Sequence, residues 1–494
     1  MTHFTLLDGS IVGVYILLTM IAGFAVRKYV GKVEHFLLAG REMNIYLGVA
    51  SLAATEFGIV TCMYTAQQGY KYGFSGALPG ILNAVMMMIV GLSGFCVRKL
   101  RNSGVTTIPE LFEQRFGGRI RWLSGVVIVL GGLLNMGVFL KVGGEFLVIV
   151  CGFDPTYLKL AMTTLLVAVA AYTILGGMLS VLVTDYLQFI VMSVGLIAVT
   201  ILILVNVGWS TIIGAVETKI GPGAFNPFVH KDLGAPYVIY YALHQLAVVL
   251  TWQTTIQRLL AAKDTRTGLK IYTRTSFFFV CRFLIPGLWG MAALAMLTPA
   301  VVGDNTLHAM PLFLASFVPM GMMGVLIAAM LAADMSTDSA YMLTWGSVIY
   351  NDIMAPFRKN WSEKRGILWN RMIIACIGVF LLVYGLWYPL KENLWDYLAI
   401  TGTIYLASMS VLLISCCYWK RANNWGAAGA IIAGAAIPIA FLVLQQIEST
   451  SEFAKSVGPY KAGIATYIFT WSAMIGGSLL KPKTETVLEE ATAQ

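Results

Sequence analysis

Apolar runs of about 20 residues recur along almost the whole of this chain, and each can cross the hydrocarbon core of a bilayer as a helix. In lipid every backbone amide and carbonyl must be satisfied internally, so helices are the fold such runs permit. Thirteen runs are read, at 8–27, 45–68, 75–97, 122–151, 157–176, 182–207, 236–260, 271–298, 309–350, 366–389, 394–419, 424–446 and 461–480. The ninth is too long for one span and is expected to include a lead-in helix before Pro319. Hydrophobic residues make up 58% of the 494 and charged residues 12%, against about 25% charged in soluble domains. A water-soluble core cannot absorb that surface, so membrane lipid is the expected surrounding.

The net charge of +9 does not indicate a nucleic-acid partner, because the cations follow the loops. Counting Lys and Arg in alternate connections gives 23 on one side and 7 on the other, with Lys141, Arg282 and Arg371 inside or at the edges of spans. By the positive-inside rule the richer side is cytoplasmic. This places the N-terminus outside and the C-terminus inside. Arg258, Lys263 and Arg266 are counted there as one cytoplasmic connection. The first run ends in Arg27-Lys28 without a small-residue cleavage site, so it is expected to remain as the first span. The sequon Asn360-Trp361-Ser362 falls on the cytoplasmic side and no outer loop carries another, which favours a bacterial inner membrane. Seven cysteines, none in a C-x-x-C pair, mostly lie in apolar runs and read as packing residues. One transmembrane domain is expected over 1–480, with a polar cytoplasmic tail over 481–494 and no obligate protein partner.

Ionisable groups inside spans are costly, which marks them as functional candidates. Here they are Glu56, Lys141, Glu145, Asp185, Arg282, Asp334 and Asp338. In the second run Thr55-Glu56-Phe57-Gly58 is a poor place to continue a helix. A break there frees the carbonyls of Ala54 and Phe57, which suit a hard cation; a Glu at a polar packing interface is the plainer reading. In the ninth run Ala333, Ser336, Thr337 and Ala340 share one helix face. That face offers two hydroxyls and a close approach for another backbone, or ordinary small-residue packing. Asp334 and Asp338 point away from it. Lys141 and Glu145 stand four apart on one helix side, where they can pair with each other. Alternatively Lys141 meets an anionic group of a solute or an acid such as Asp338.

At this point the motifs become recognisable. The stretch from Tyr172 to Ser180 followed by Thr184, Asp185 and Gln188, the segment Ile256-Gln257-Arg258 to Lys263, the segment Phe36 to Arg41, and Met335-Ser336-Thr337 running to Asn351-Asp352 occur in order. In these motifs, and over nearly its whole length to about residue 480, the chain resembles the sodium/solute symporter family. The resemblance implies an all-α, leucine-transporter-type fold of two inverted five-helix repeats, here about 45–207 and 236–419. It implies sodium (Na+) as the coupling ion, held by the carbonyls of Ala54, Phe57 and Ala333 and the hydroxyls of Ser336 and Thr337. Asp185, Ser336 and Ser339 match a second sodium site of some members, where Ala340 replaces one hydroxyl. Glu56 falls where the proline symporter has an aspartate, and Thr61, Asn135 and Gln245 fall on solute-lining positions.

The implied function is sodium-coupled symport of a small polar solute by alternating access. A sugar, an amino acid and a carboxylate remain open as the solute. A proton-driven or uncoupled carrier of the same fold is the alternative, with Glu56, Asp185 or Asp338 titrating. A sensor would be expected to carry a long soluble extension. No H-E-x-x-H, G-x-S-x-G or P-loop pattern points to an enzyme.

Overall fold

The computed structural model describes residues 3–29, 31–357, 361–388 and 394–481, with the side chains of Arg27 and Ala355 excepted. The tail from 482 and the sequon's Asn360 lie outside the described residues.

Every apolar run lies on a helix. The helices are α1 (Leu6–Ala25), α2 (Ile45–Thr55), α3 (Ile59–Tyr72), α4 (Leu78–Ser93), α5 (Gly118–Met136), α6 (Phe139–Cys151), α7 (Leu158–Asn206), α8 (Gly234–Thr251) and α9 (Gln253–Ala261). They continue as α10 (Thr265–Met296), α11 (Ala309–Phe317), α12 (Met322–Val348), α13 (Glu363–Trp387), α14 (Leu394–Tyr418), α15 (Asn424–Gln446) and α16 (Glu448–Leu480). Extended pairing among the described residues is one isolated bridge, Met43 to Ala262. Nine helical segments among the described residues are long and apolar enough to cross a membrane by themselves. The reading of thirteen runs differs because α7 joins two of them across a kink at Gly177. It also counts α2–α3 separately, where α3 continues into α4 as one segment (Ile59–Ser93), and counts α8–α9 and α12, which fall outside the nine. The lead-in helix before Pro319 is present as α11.

Two interruptions shape the interior. Between α2 and α3 the helix stops at Thr55, and Gly58 (φ −64, ψ 169) starts the next one. Between α8 and α9 a single residue, Trp252 (φ −64, ψ 116), leaves helical geometry. The sequence treated 236–260 as one unbroken span, so this second interruption is a correction. No Gly or Pro stands at 251–253 to announce it.

α12 is buried on all sides from Leu326 to Val348. α14 is similarly enclosed from Tyr397 to Leu413. These two are central, whereas α1, α13, α15 and α16 leave large apolar side chains such as Leu17, Val379, Ile432 and Phe469 on the outer surface. An apolar periphery around a polar centre is what lipid as the solvent demands.

α3 and α10 meet at backbone contact. A Cβ on Gly69 would lie 2.1 Å from the Gly287 carbonyl oxygen, and one on Gly290 would lie 1.9 Å from that of Ala66. Small residues permit this approach, which drives helix association in lipid through dispersion and short-range dipoles.

Candidate cation and solute site

The α2–α3 break faces the middle of α12. Gly58 allows this, since a Cβ there would sit 2.6 Å from Thr337 Oγ1. The Thr337 hydroxyl lies 2.8 Å from the Thr55 carbonyl oxygen and 3.0 Å from that of Ala333, either of which can accept its proton. The Ala54 carbonyl accepts from the Phe57 amide at 3.2 Å as the helix unwinds. The two segments singled out in the sequence are therefore in contact. Of the carbonyls named there, that of Ala333 lies against Thr337, while the oxygen facing it from the break is that of Thr55 rather than Ala54 or Phe57.

Ser336 turns elsewhere. Its hydroxyl donates to Asp185 Oδ1 at 2.6 Å, while Ser51 donates to Oδ2 at 2.5 Å. Arg258 Nη2 lies 3.3 Å from the same Oδ2, and both side chains are fully buried. The guanidinium also donates to the hydroxyls of Ser51 and Thr55, at 3.2 and 2.8 Å. Arg258 thus belongs to the interior, which corrects its count among cytoplasmic loop cations. Ser339 spends its proton on the Ser336 carbonyl at 3.1 Å rather than on Asp185.

A cavity with about 660 Å³ of atom-free space adjoins the break, and Glu56, Thr61, Asn135 and Gln245 all line it. Thr337 lines it too. Asn135 Nδ2 donates to the Leu398 carbonyl at 2.8 Å and to Thr401 at 3.1 Å, and Gln245 Oε1 accepts from Asn83 at 2.7 Å. Glu56 receives Trp252 Nε1 at 3.1 Å and the Thr254 hydroxyl on Oε1, and Arg282 Nη1 at 3.5 Å on Oε2. It therefore bridges the two interrupted helices.

Sequence reasoning missed several lining residues: Tyr64, Asn83, His244, Trp252, Phe283 and Trp395. None carries a net charge, so nothing set them apart from ordinary span residues. Arg282 was visible as a cation inside a span, though its place on the cavity wall was not.

One charge expectation fails. Lys141 and Glu145 do not pair: Lys141 Nζ donates to the Tyr388 carbonyl at 3.2 Å, and Glu145 meets His308 at 3.2 Å. Partners supplied by other segments outweigh adjacency on one helix. Asp334 Oδ2 and Asp338 Oδ1 are buried without partners among the described residues.

Comparison with known proteins adds three findings. The profile of the Sodium:solute symporter family matches residues 36–434. The chain is 26% identical over 489 residues to sodium/glucose cotransporter 4 of Danio rerio, covering 90% of this chain and 72% of that one. It is 23% identical over 531 residues to a sodium/mannose cotransporter of Bos taurus, covering 97% and 87%. Among solved structures, a substrate-bound, outward-open Na+-coupled sialic acid symporter superposes with a TM-score of 0.82 at 18% identity, over 97% of this chain and 99% of that one. A complex of MhsT with L-phenylalanine gives 0.53 at 15% identity, over 89% and 98%.

Proposed function

Since the chain belongs to the sodium:solute symporter family, and is a multi-pass sodium-coupled symporter of leucine-transporter-type fold, we propose that one sodium ion binds at the α2–α3 break while a small polar solute fills the adjoining cavity. One observation carries this reading: Thr337 both faces the Thr55 carbonyl at the break and lines the cavity. A residue shared by the two compartments lets occupancy of one bias the other, which is what coupling requires.

The ion would be held by the carbonyls of Ala54, Phe57 and Ala333 with the hydroxyls of Ser336 and Thr337. Ser336 can serve while still bonded to Asp185, because a hydroxyl that gives away its proton keeps two lone pairs. Asp185 already has the Arg258 guanidinium, and Ser339 is turned away from it. This reading therefore takes one sodium per cycle, with no second ion at Asp185 and Ser339.

The relatives named for glucose and mannose and the amides of Asn83, Asn135 and Gln245 beside His244 support a hydroxyl-bearing solute. Glu56, Thr61, Asn135 and Gln245 are its proposed contacts. The transporter domain spans 1–480, with inverted repeats of about 45–207 and 236–419. The loop charge asymmetry supports an outer N-terminus and a cytoplasmic C-terminus, and the lack of a sequon in the outer loops supports a bacterial inner membrane.

Uptake into proteoliposomes tests the reading. A labelled polyol panel should enter under an inward sodium gradient and stop when choline replaces sodium at constant pH. In Thr337→Ala the sodium concentration for half-maximal uptake should rise roughly tenfold, the equivalent of about 1.4 kcal/mol. Unchanged sodium dependence in that variant, at normal membrane levels, would refute the assignment.

A further inference from the structure

On α8 the cavity wall carries a histidine whose ring is only half used. His244 lines the cavity and is 5% exposed. Its Nδ1 lies 3.3 Å from Tyr240 Oη and 3.3 Å from Thr403 Oγ1. Both hydroxyl protons have nearer acceptors. Thr403 donates to the Ala399 carbonyl at 2.8 Å, and Tyr240 reaches Thr403 Oγ1 at 2.9 Å and the same carbonyl at 3.2 Å. The hydroxyls therefore meet the ring with lone pairs, which makes Nδ1 the donor. A buried ring with hydroxyl partners and no carboxylate partner among the described residues stays neutral, because an unpaired charge there is costly. In a neutral imidazole that donates from Nδ1, Nε2 is an acceptor. This Nε2 has no partner among the described residues and is not sealed from the cavity.

A second acceptor stands beside it. Asn135 spends its NH2 on Leu398 and Thr401, which leaves its Oδ1 free for a donor. The two side chains meet over Gly402 of α14, where an added Cβ would lie 3.8 Å from Asn135 Nδ2 and 3.8 Å from His244 Cε1. The charged groups of the wall do not compete for the same partner. Glu56 has both oxygens engaged, and the Arg282 Nη atoms face Glu56, Thr61 and Tyr64. Two uncharged acceptors side by side call for two donors side by side, and a wall built this way rejects a solute that lacks either one.

We propose that His244 is a solute-contacting residue, its Nε2 and Asn135 Oδ1 together accepting two neighbouring donors of the solute, as a vicinal diol supplies. The inference rests on the cavity being the solute site and adds the group that is recognised there. A purely structural duty, tying α8 to α14 through Tyr240 and Thr403, would use Nδ1 alone.

That division sets the test: sodium-driven uptake of labelled D-glucose and D-mannose by the full-length protein in proteoliposomes. His244→Asn keeps an N–H near the place of Nδ1 and removes Nε2, whereas His244→Gln sets a carbonyl oxygen near the place of Nε2. The asparagine variant should raise KM for the better sugar at least tenfold, and the glutamine variant should recover most of that loss, with sodium activation unchanged in both. Among the monodeoxy forms of that sugar, two lacking neighbouring hydroxyls should each lose about tenfold, and one of these two should lose nothing further in His244→Asn. Wild-type KM in the asparagine variant overturns the proposal, as does an equal or larger loss in the glutamine variant. Uptake of neither sugar by a protein that sodium stabilises against heat overturns it too. Val248→Trp, which fills the cavity, separates the two levels. If it keeps the wild-type KM, the cavity reading itself fails; if it abolishes uptake while His244→Asn changes nothing, only the role of His244 fails.

Discussion

The chain interrupts a helix twice at its centre, and the two interruptions are made differently. At Glu56-Phe57-Gly58 the break is local. Gly58 leaves the space that the Thr337 hydroxyl occupies, and a Cβ there would collide with it at 2.6 Å. At Trp252 nothing in the neighbouring sequence stops the helix. The non-helical geometry is held from outside, by Trp252 Nε1 on Glu56 and on Tyr341 Oη (3.2 Å), and by Thr254 on Glu56. Arg258 adds ties from α9 to Ser51 and Thr55 on α2. The second break thus depends on residues of the first. One interruption is encoded where it occurs, and the other is borrowed.

Removing the shared residue should break both. Glu56→Ala strands Arg282 opposite a lost carboxylate and leaves the donors of Trp252 and Thr254 unpaired. Removing one partner of a buried ion pair costs about 3–5 kcal/mol. The expected outcome is a marked fall in melting temperature in detergent and loss of transport. Glu56→Gln, which keeps an acceptor, should fall less. Equal losses in the two variants would mean that the charge alone matters and that the hydrogen bonds to α8–α9 do not.

Gly58→Ala strikes only the local break. Overpacking of this kind costs about 1–3 kcal/mol, and the displaced Thr337 should weaken sodium activation more than solute affinity. Parallel changes in both quantities would show that the two compartments are not separable at Gly58. The smallest effect is expected at the borrowed break. Trp252→Phe keeps a ring against Tyr405, which now lies 6.0 Å from it between centroids, and loses part of the indole's ring area with the N–H, whose hydrogen bond is worth about 1 kcal/mol. If this variant proves as damaging as Gly58→Ala, the second break is set by the indole itself and the contrast drawn here disappears.

How much could be read from the sequence follows the same division. Helix positions were legible because lipid imposes length and apolarity on each span. The first break was legible because a carboxylate beside glycine is unsuited to a continuous membrane helix. Trp252 was not, since its partners Glu56 and Tyr341 lie 196 and 89 residues away. Arg258 was misplaced for a related reason. It stands five residues before Lys263 and looks like part of a basic loop, while the acid that buries it, Asp185, is 73 residues distant. Glu56, Thr61, Asn135 and Gln245 were placed by resemblance to relatives and do share one cavity. The place of Arg282 on the cavity wall depends on how α10 packs, and only the folded arrangement displays that.

The backbone contact of Gly69 with Gly287, and of Gly290 with Ala66, has a mechanical meaning. Two helices that touch main chain to main chain have no side-chain cushion through which to slide or tilt, so α3 and α10 must travel as one stiff lever. Arg282, Thr61 and Tyr64 ride on that lever with their spacing fixed, whichever side of the membrane is open. Relative movement is left to joints cushioned by side chains, and the joint beside the break is Gly58 against Thr337. On the proposed reading of the cavity and the break, the lever carries its solute contacts unchanged through the stroke and pivots beside the ion.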